Sequence, residues 1–76
     1  MGIYIAIRKV GETPRGADYE FRFGETPGLL RLDKRTGTVL LIDVDPADEM
    51  VFRCVAQKLR DHWFRGELPE RTSWAA

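Results

Sequence analysis

Hydrophobic positions recur along this chain with two periods, and the point where the period changes divides it into two parts. In the first part they alternate. Ile3, Ile5 and Ile7 fall on one side of residues 3–10, with Tyr4, Ala6 and Arg8 on the other, as expected of a strand with one buried face. Residues 11–18 (GETPRGAD) carry two Gly and a Pro and read as a loop. Tyr19, Phe21 and Phe23 then alternate with Glu20 and Arg22, predicting a second strand over 19–23. After GETPG a third strand is expected over 29–33 and a fourth over 38–44.

The turn between the last two has the clearest local chemistry. Asp33 and the threonines are able to bond to backbone within it, and Gly37 supplies a left-handed residue without penalty. A four-residue loop pairs Asp33 with Thr38, which sets Leu32 opposite Val39 and Leu30 opposite Leu41 and turns Leu29, Leu40, Ile42 and Val44 to the other side. The fourth strand is therefore apolar on both faces, and one helix covers only one face of a small sheet. The pattern does not say which. The Asp-x-x-Thr-Gly-x-Val spacing of residues 33–39 is shared by turns in many unrelated β proteins and implies a hairpin only.

From Asp45 the period becomes that of a helix, expected over about 46–65. Asp45 is suited to N-cap it, Pro46 to open its first turn, and Asp48 and Glu49 to sit at the positive end of its dipole. At 100° per residue, Val51, Phe52, Val55, Ala56, Leu59, His62 and Trp63 share an arc of about 140°, the width of a core-facing stripe. Gly66 is placed to end it. The expected fold is α+β in two layers: a four-stranded antiparallel meander with one long C-terminal helix across one face. Residues 1–66 form the domain. Residues 67–76 are a polar tail, either flexible or folded back through Leu68 and Trp74. Gly-Glu-Thr-Pro occurs at Gly11 and Gly24, which is two turns using the same chemistry more simply than a repeat.

Composition adds exclusions. A 43% hydrophobic and 32% charged chain argues against disorder. The 12 basic and 12 acidic residues cancel, and each part is within one charge of neutral, 7 against 6 before Asp45 and 5 against 6 from there on, which argues against a polyanion-binding module. The single cysteine makes no disulfide within the chain and suits a reducing, cytoplasmic setting. No basic leader precedes the apolar N-terminal run, Ala6 stands where a myristoylation pattern wants Ser or Thr, and no apolar run is long enough to span a bilayer.

Candidate chemistry is sparse. Cys54 and His62, the lone thiol and imidazole, lie about 12 Å apart along one helix and about 80° apart around it, beyond the reach of a nucleophile and base pair. Cys54 is expected on the outer helix face with Met50 and Phe64. With no second His or Cys, a metal site lacks ligands, and no cofactor is implied. The loop at Gly11 has the glycine spacing of a phosphate loop, but Ala17 and Asp18 stand where Lys and Ser or Thr belong. Two minor alternatives remain. Asp43, Asp45, Asp48 and Glu49 cluster at the strand–helix junction, where an enzyme or metal site would have to lie, although capping accounts for Asp45 and Asp48. Tyr4, Arg8, Arg22 and Arg31 offer an aromatic and arginine face of the kind that binds single-stranded nucleic acid, with the charge balance against it.

The leading expectation is a non-enzymatic protein that acts by protein–protein or self-association through Leu29, Leu40, Ile42, Val44, Met50, Cys54, Phe64 and Trp74. Cover of the second sheet face by a homodimer is favoured slightly over cover by the tail.

Overall fold

A computed structural model describes residues 2–43 and 49–76. Five strands and one helix follow in the order β1 (Tyr4–Glu12), β2 (Gly16–Phe23), β3 (Thr26–Asp33), β4 (Val39–Asp43), α1 (Glu49–Phe64) and β5 (Arg71–Ala75). The α+β meander with a helix on one face is as the periodicities predict. It has one strand more, however, because the tail folds back and pairs antiparallel with β1, giving the sheet order β4-β3-β2-β1-β5. The expected cap at Asp45 and Pro46, the dipole position of Asp48, and Val44 all lie outside the described residues.

Strands β2 and β3 begin earlier than their alternation suggests. Gly16 and Ala17 are buried and pair with Asp33 and Leu32, so the first loop shrinks to a turn in which the Thr13 hydroxyl accepts from the N–H groups of Arg15 and Gly16. Gly28, expected in a loop, lies within β3 under the Phe21 ring, where a Cβ would come within 2.2 Å of a ring carbon. A glycine in a strand often marks such a close approach. The β2–β3 turn tightens to Gly24 and Glu25, and Gly24 takes φ +62°.

The Asp33 to Thr38 turn adopts the register set by the four-residue loop. Asp33 N–H donates to the Thr38 carbonyl at 2.8 Å, Leu32 pairs with Val39 and Leu30 with Leu41. The Asp33 carboxylate accepts from the N–H groups of Arg35 and Thr36, and Gly37 takes φ +75°. Beyond Leu41 the register slips, since Leu29 pairs with Asp43 and Ile42 is left as an extra residue. This bulge is invisible to a count made from the turn.

The core lies between α1 and one sheet face: Ile5, Ile7, Ala17, Tyr19, Phe21, Leu30 and Leu32 meet Val51, Val55 and Leu59, all nearly or fully buried. The helix thus covers the Leu30, Leu32 and Val39 side. Its buried line, Val51, Val55 and Leu59, runs along one edge of the expected arc, so α1 is turned about 30° toward Cys54 and Lys58 relative to the stripe drawn from sequence. Cys54 is accordingly half-buried and packs on the core, a correction to its assignment to the outer face.

The C-terminal end of α1 and the segment that follows it are pinned by polar contacts. Gly66, at φ +76°, ends α1 in a double backbone closure, with its own N–H donating to the Trp63 carbonyl and that of Glu67 to His62. The Trp63 indole N–H donates to the Lys34 carbonyl at 2.7 Å and its ring lies against Gly37, tying the helix end to the β3–β4 turn. The buried Tyr19 hydroxyl donates to the Pro69 carbonyl at 2.7 Å, fixing the start of β5. Burial pushes the Tyr19 phenol up from its usual range.

Candidate functional site

Of the five large apolar side chains exposed on the sheet, two, Tyr4 and Val10, belong to β1 and the other three lie on β4. This strand is an edge, paired on one side only, to β3. Leu40, Leu41 and Ile42 follow one another in it and are 59%, 44% and 45% exposed. Leu41 belongs to the helix side and Leu40 to the open side, so the strand is wet on both faces because α1 ends its cover at Val39. The three side chains leave roughly 250 Å² of apolar surface divided between the two faces, less than the ~300–600 Å² of the largest patch on an ordinary monomer.

Its backbone can be assigned from the turn. The Asp33 N–H to Thr38 carbonyl bond makes that pair a hydrogen-bonded one. By the alternation of an antiparallel ladder, Arg31 and Leu40 form the next such pair, while Leu30–Leu41 and Leu32–Val39 are the non-bonded ones. The N–H and C=O groups of Val39 and Leu41 therefore point out of the sheet edge.

Of the residues singled out from sequence, Leu29, Leu40 and Ile42 are brought together along β3 and β4, and Leu29 is half-buried between Glu20 and Asp43. Val44 is outside the described residues. Trp74 is not part of this surface: it pairs with Ile5 in β5 and packs on the core. Met50 and Phe64 are exposed but stand about 21 Å apart along α1, so they form no patch with each other. Phe64 instead stacks edge-on with Trp63 and lies under the Arg60 guanidinium.

The four residues of the alternative face do share one surface. Tyr4, Arg8 and Arg22 line a depression of about 400 Å³ on the open side of the sheet, and Arg71 of β5 joins them, a residue missed because the tail was not read as a strand. Two of the four arginines there are paired within the sheet. Arg8 meets Glu20 at 3.3 Å, and Arg31 holds Asp18 through two hydrogen bonds of 2.7 and 3.1 Å, which lowers the Asp18 carboxyl and raises the guanidinium.

A second ionic cluster lies where β1 ends. Glu12 accepts from both Lys34 and Lys9 at 2.6 Å, and these bonds, Lys34 first, lower its carboxyl to about 2. The Lys9 ammonium is raised by the same partner. Its stem is largely covered, and Glu12 bridges β1 to the β3–β4 turn beside a cavity of about 400 Å³ that it lines together with Arg15, Asp18, Arg31 and Leu40.

Nothing in the chemistry groups into a reactive set among the described residues. His62 bonds Thr72 through Nε2 and Glu67 through Nδ1, both at 3.1 Å, which makes it a latch between α1 and β5. Glu49 of the acidic junction pairs with Arg53 at 2.9 Å, and Asp45 and Asp48 lie outside the described residues. No helix among these residues is long and apolar enough to cross a membrane. Comparison with family models, with curated proteins and with solved structures finds no match to this chain.

Proposed function

We propose that this protein is a small non-enzymatic association module and that its docking element is the outer edge of β4. The observation that carries this reading is the run Leu40, Leu41 and Ile42, each between two-fifths and three-fifths exposed, on a strand whose outer N–H and C=O groups have no neighbour in the sheet. Edge strands ordinarily carry charge or proline that discourages pairing, and β4 has neither before Asp43. A strand of this kind binds by main-chain hydrogen bonds, with the flanking side chains adding apolar contact on both faces. The lone thiol suits a reducing compartment such as the cytoplasm.

The test is a paired capture experiment with the intact chain and the Leu40→Lys/Ile42→Lys variant as baits. Partners held by the wild type should be lost from the variant while its circular dichroism is unchanged. Retention of the same partners by both baits would remove β4 from consideration.

A second reading rests on the convergence of Tyr4, Arg8, Arg22 and Arg71 on one depression. Arg22 and Arg71 make no ion pair among the described residues, so they are available to an anionic or single-stranded ligand. Salt-dependent retention on single-stranded nucleic acid, abolished in Arg22→Ala/Arg71→Ala, is expected under this reading alone.

A further inference from the structure

Resting on the proposed role of β4, we infer that its occupant is the β4 strand of a second copy of this chain, paired antiparallel about a two-fold axis that passes through Leu40. Three observations lead there. The outward backbone groups belong to Val39 and Leu41, and an axis at Leu40 sets Val39 of each copy opposite Leu41 of the other, so both pairs are hydrogen-bonded and nothing on that stretch of edge is left over. The register slip at Ile42 confines regular pairing to the turn-proximal half of the strand, which favours this axis over one nearer Asp43.

Charge supplies the third. Arg35 is exposed in the turn that precedes β4 and Asp43 is exposed at its end, and neither has an ion-pair partner among the described residues. An antiparallel partner of identical sequence brings the positive end of one strand to the negative end of the other, twice. A parallel copy would set like charge on like. A two-fold contact is self-complementary by construction, so each favourable feature of the edge counts for both copies.

The assembly closes at two. Each copy has one aliphatic edge, and the opposite edge, β5, presents Arg71, Thr72 and Ser73, so a ten-stranded sheet forms and does not propagate. The apolar area brought together, roughly 500 Å² over both copies, falls short of the ~1,200 Å² of a stable interface, so the dimer is a weak one. Its mass should approach twice the monomer only in the high micromolar range.

Sedimentation of the wild-type chain from low micromolar to millimolar concentration tests self-pairing, and thiol cross-linking tests the register. In a Cys54→Ser background, Leu40→Cys places two thiols at a non-bonded pair on the axis, with Cα atoms about 4.5 Å apart and within the range a disulfide bridges. Oxidation should give a covalent dimer rapidly, while Ile42→Cys, about 13 Å from its symmetry mate in this register, should give little. Arg35→Glu and Asp43→Arg should each weaken dimerisation several-fold and the double exchange should restore it. A chain that stays monomeric at millimolar concentration overturns the inference. If the β4 bait still captures another protein under those conditions, the association role stands and only self-pairing fails. A dimer that cross-links through Ile42→Cys and not Leu40→Cys overturns the register.

Discussion

β5 and β4 close the two sides of one sheet, each five residues long, and they are finished in different ways. β5 is short of apolar residues, carries Arg71, Thr72 and Ser73, and is tied down along its length. His62 bonds Thr72, the Lys9 N–H donates to the Glu70 carbonyl, and Trp74 packs on the core. β4 is aliphatic throughout its middle, and among the described residues it is tied by its pairing to β3, by Val39 on the core and at the turn, where Asp33, Gly37 and Trp63 meet. The first edge is held by its own chain, and the second is unpaired among the described residues. In a domain this small the tail covers one edge, that of β1, and not the aliphatic edge of β4.

That contrast is open to several tests. The largest effect should come from deleting residues 71–76, which strips β1 of its neighbour and removes Trp74. The remaining chain should lose its cooperative melting transition, since a 76-residue domain has only a few kcal/mol to spare. Removal of the β5 residues with little change in melting would mean that the two edges are alike after all.

Next in size is Leu59→Ala, beneath the centre of the sheet. Leu59 is fully buried, so a cost of ~2–5 kcal/mol is expected in denaturant unfolding. Because the core underlies both edges, amide exchange should quicken in β1 and β3 together. Faster exchange in only one of them would show two separately folding halves.

A smaller effect concerns the Glu12 cluster, which anchors the turn at the root of β4. The Glu12 carboxyl is lower in the folded chain, at about 2, than in an unfolded one, so its contribution is fully present above about pH 4.5 and fades as pH falls toward 2. The melting temperature of Glu12→Gln should accordingly fall below the wild type at pH 6, with most of that difference gone at pH 2. Equal differences at the two values would mean the two lysine contacts contribute nothing to folding.

Smallest of all in stability is Leu40→Lys. The side chain is already largely in water, so the change should stay within about 0.5 kcal/mol by denaturant unfolding. A loss comparable to that of Leu59→Ala would show Leu40 to be a buried structural residue and not a docking one.

The residues that were legible from sequence are those whose signals are local. Asp33, Gly37 and the alternation on either side fixed the β3–β4 register to within its first three pairs, and Gly66 marked the helix end. What escaped depends on partners distant in the chain. RTSWA has no alternation that separates it from a loop, and it becomes a strand because β1 offers it an edge and Tyr19 and His62 offer it anchors. Gly16 and Gly28 read as loop residues, yet each lies in a strand for want of a side chain, Gly28 making room for Phe21. The helix stripe was centred close to Leu59, about 30° from the line that is buried, because periodicity does not see the turn that Trp63 must reach at Lys34. The slip at Ile42 is of the same kind, and it is why Leu40 and Leu41 rather than the whole strand now define the candidate edge.

The most direct test of the open edge is amide hydrogen exchange followed residue by residue at low micromolar and at millimolar concentration. Val39 and Leu41, whose N–H groups point out of the β4 edge, should exchange freely in dilute solution and become protected as concentration rises. Arg71, Ser73 and Ala75, which point out of the β5 edge by the same alternation, should exchange at one rate throughout. Protection that grows at β5, or rates at Val39 and Leu41 that do not respond to concentration in a chain with no other partner present, would contradict β4 as the edge through which this chain pairs with itself.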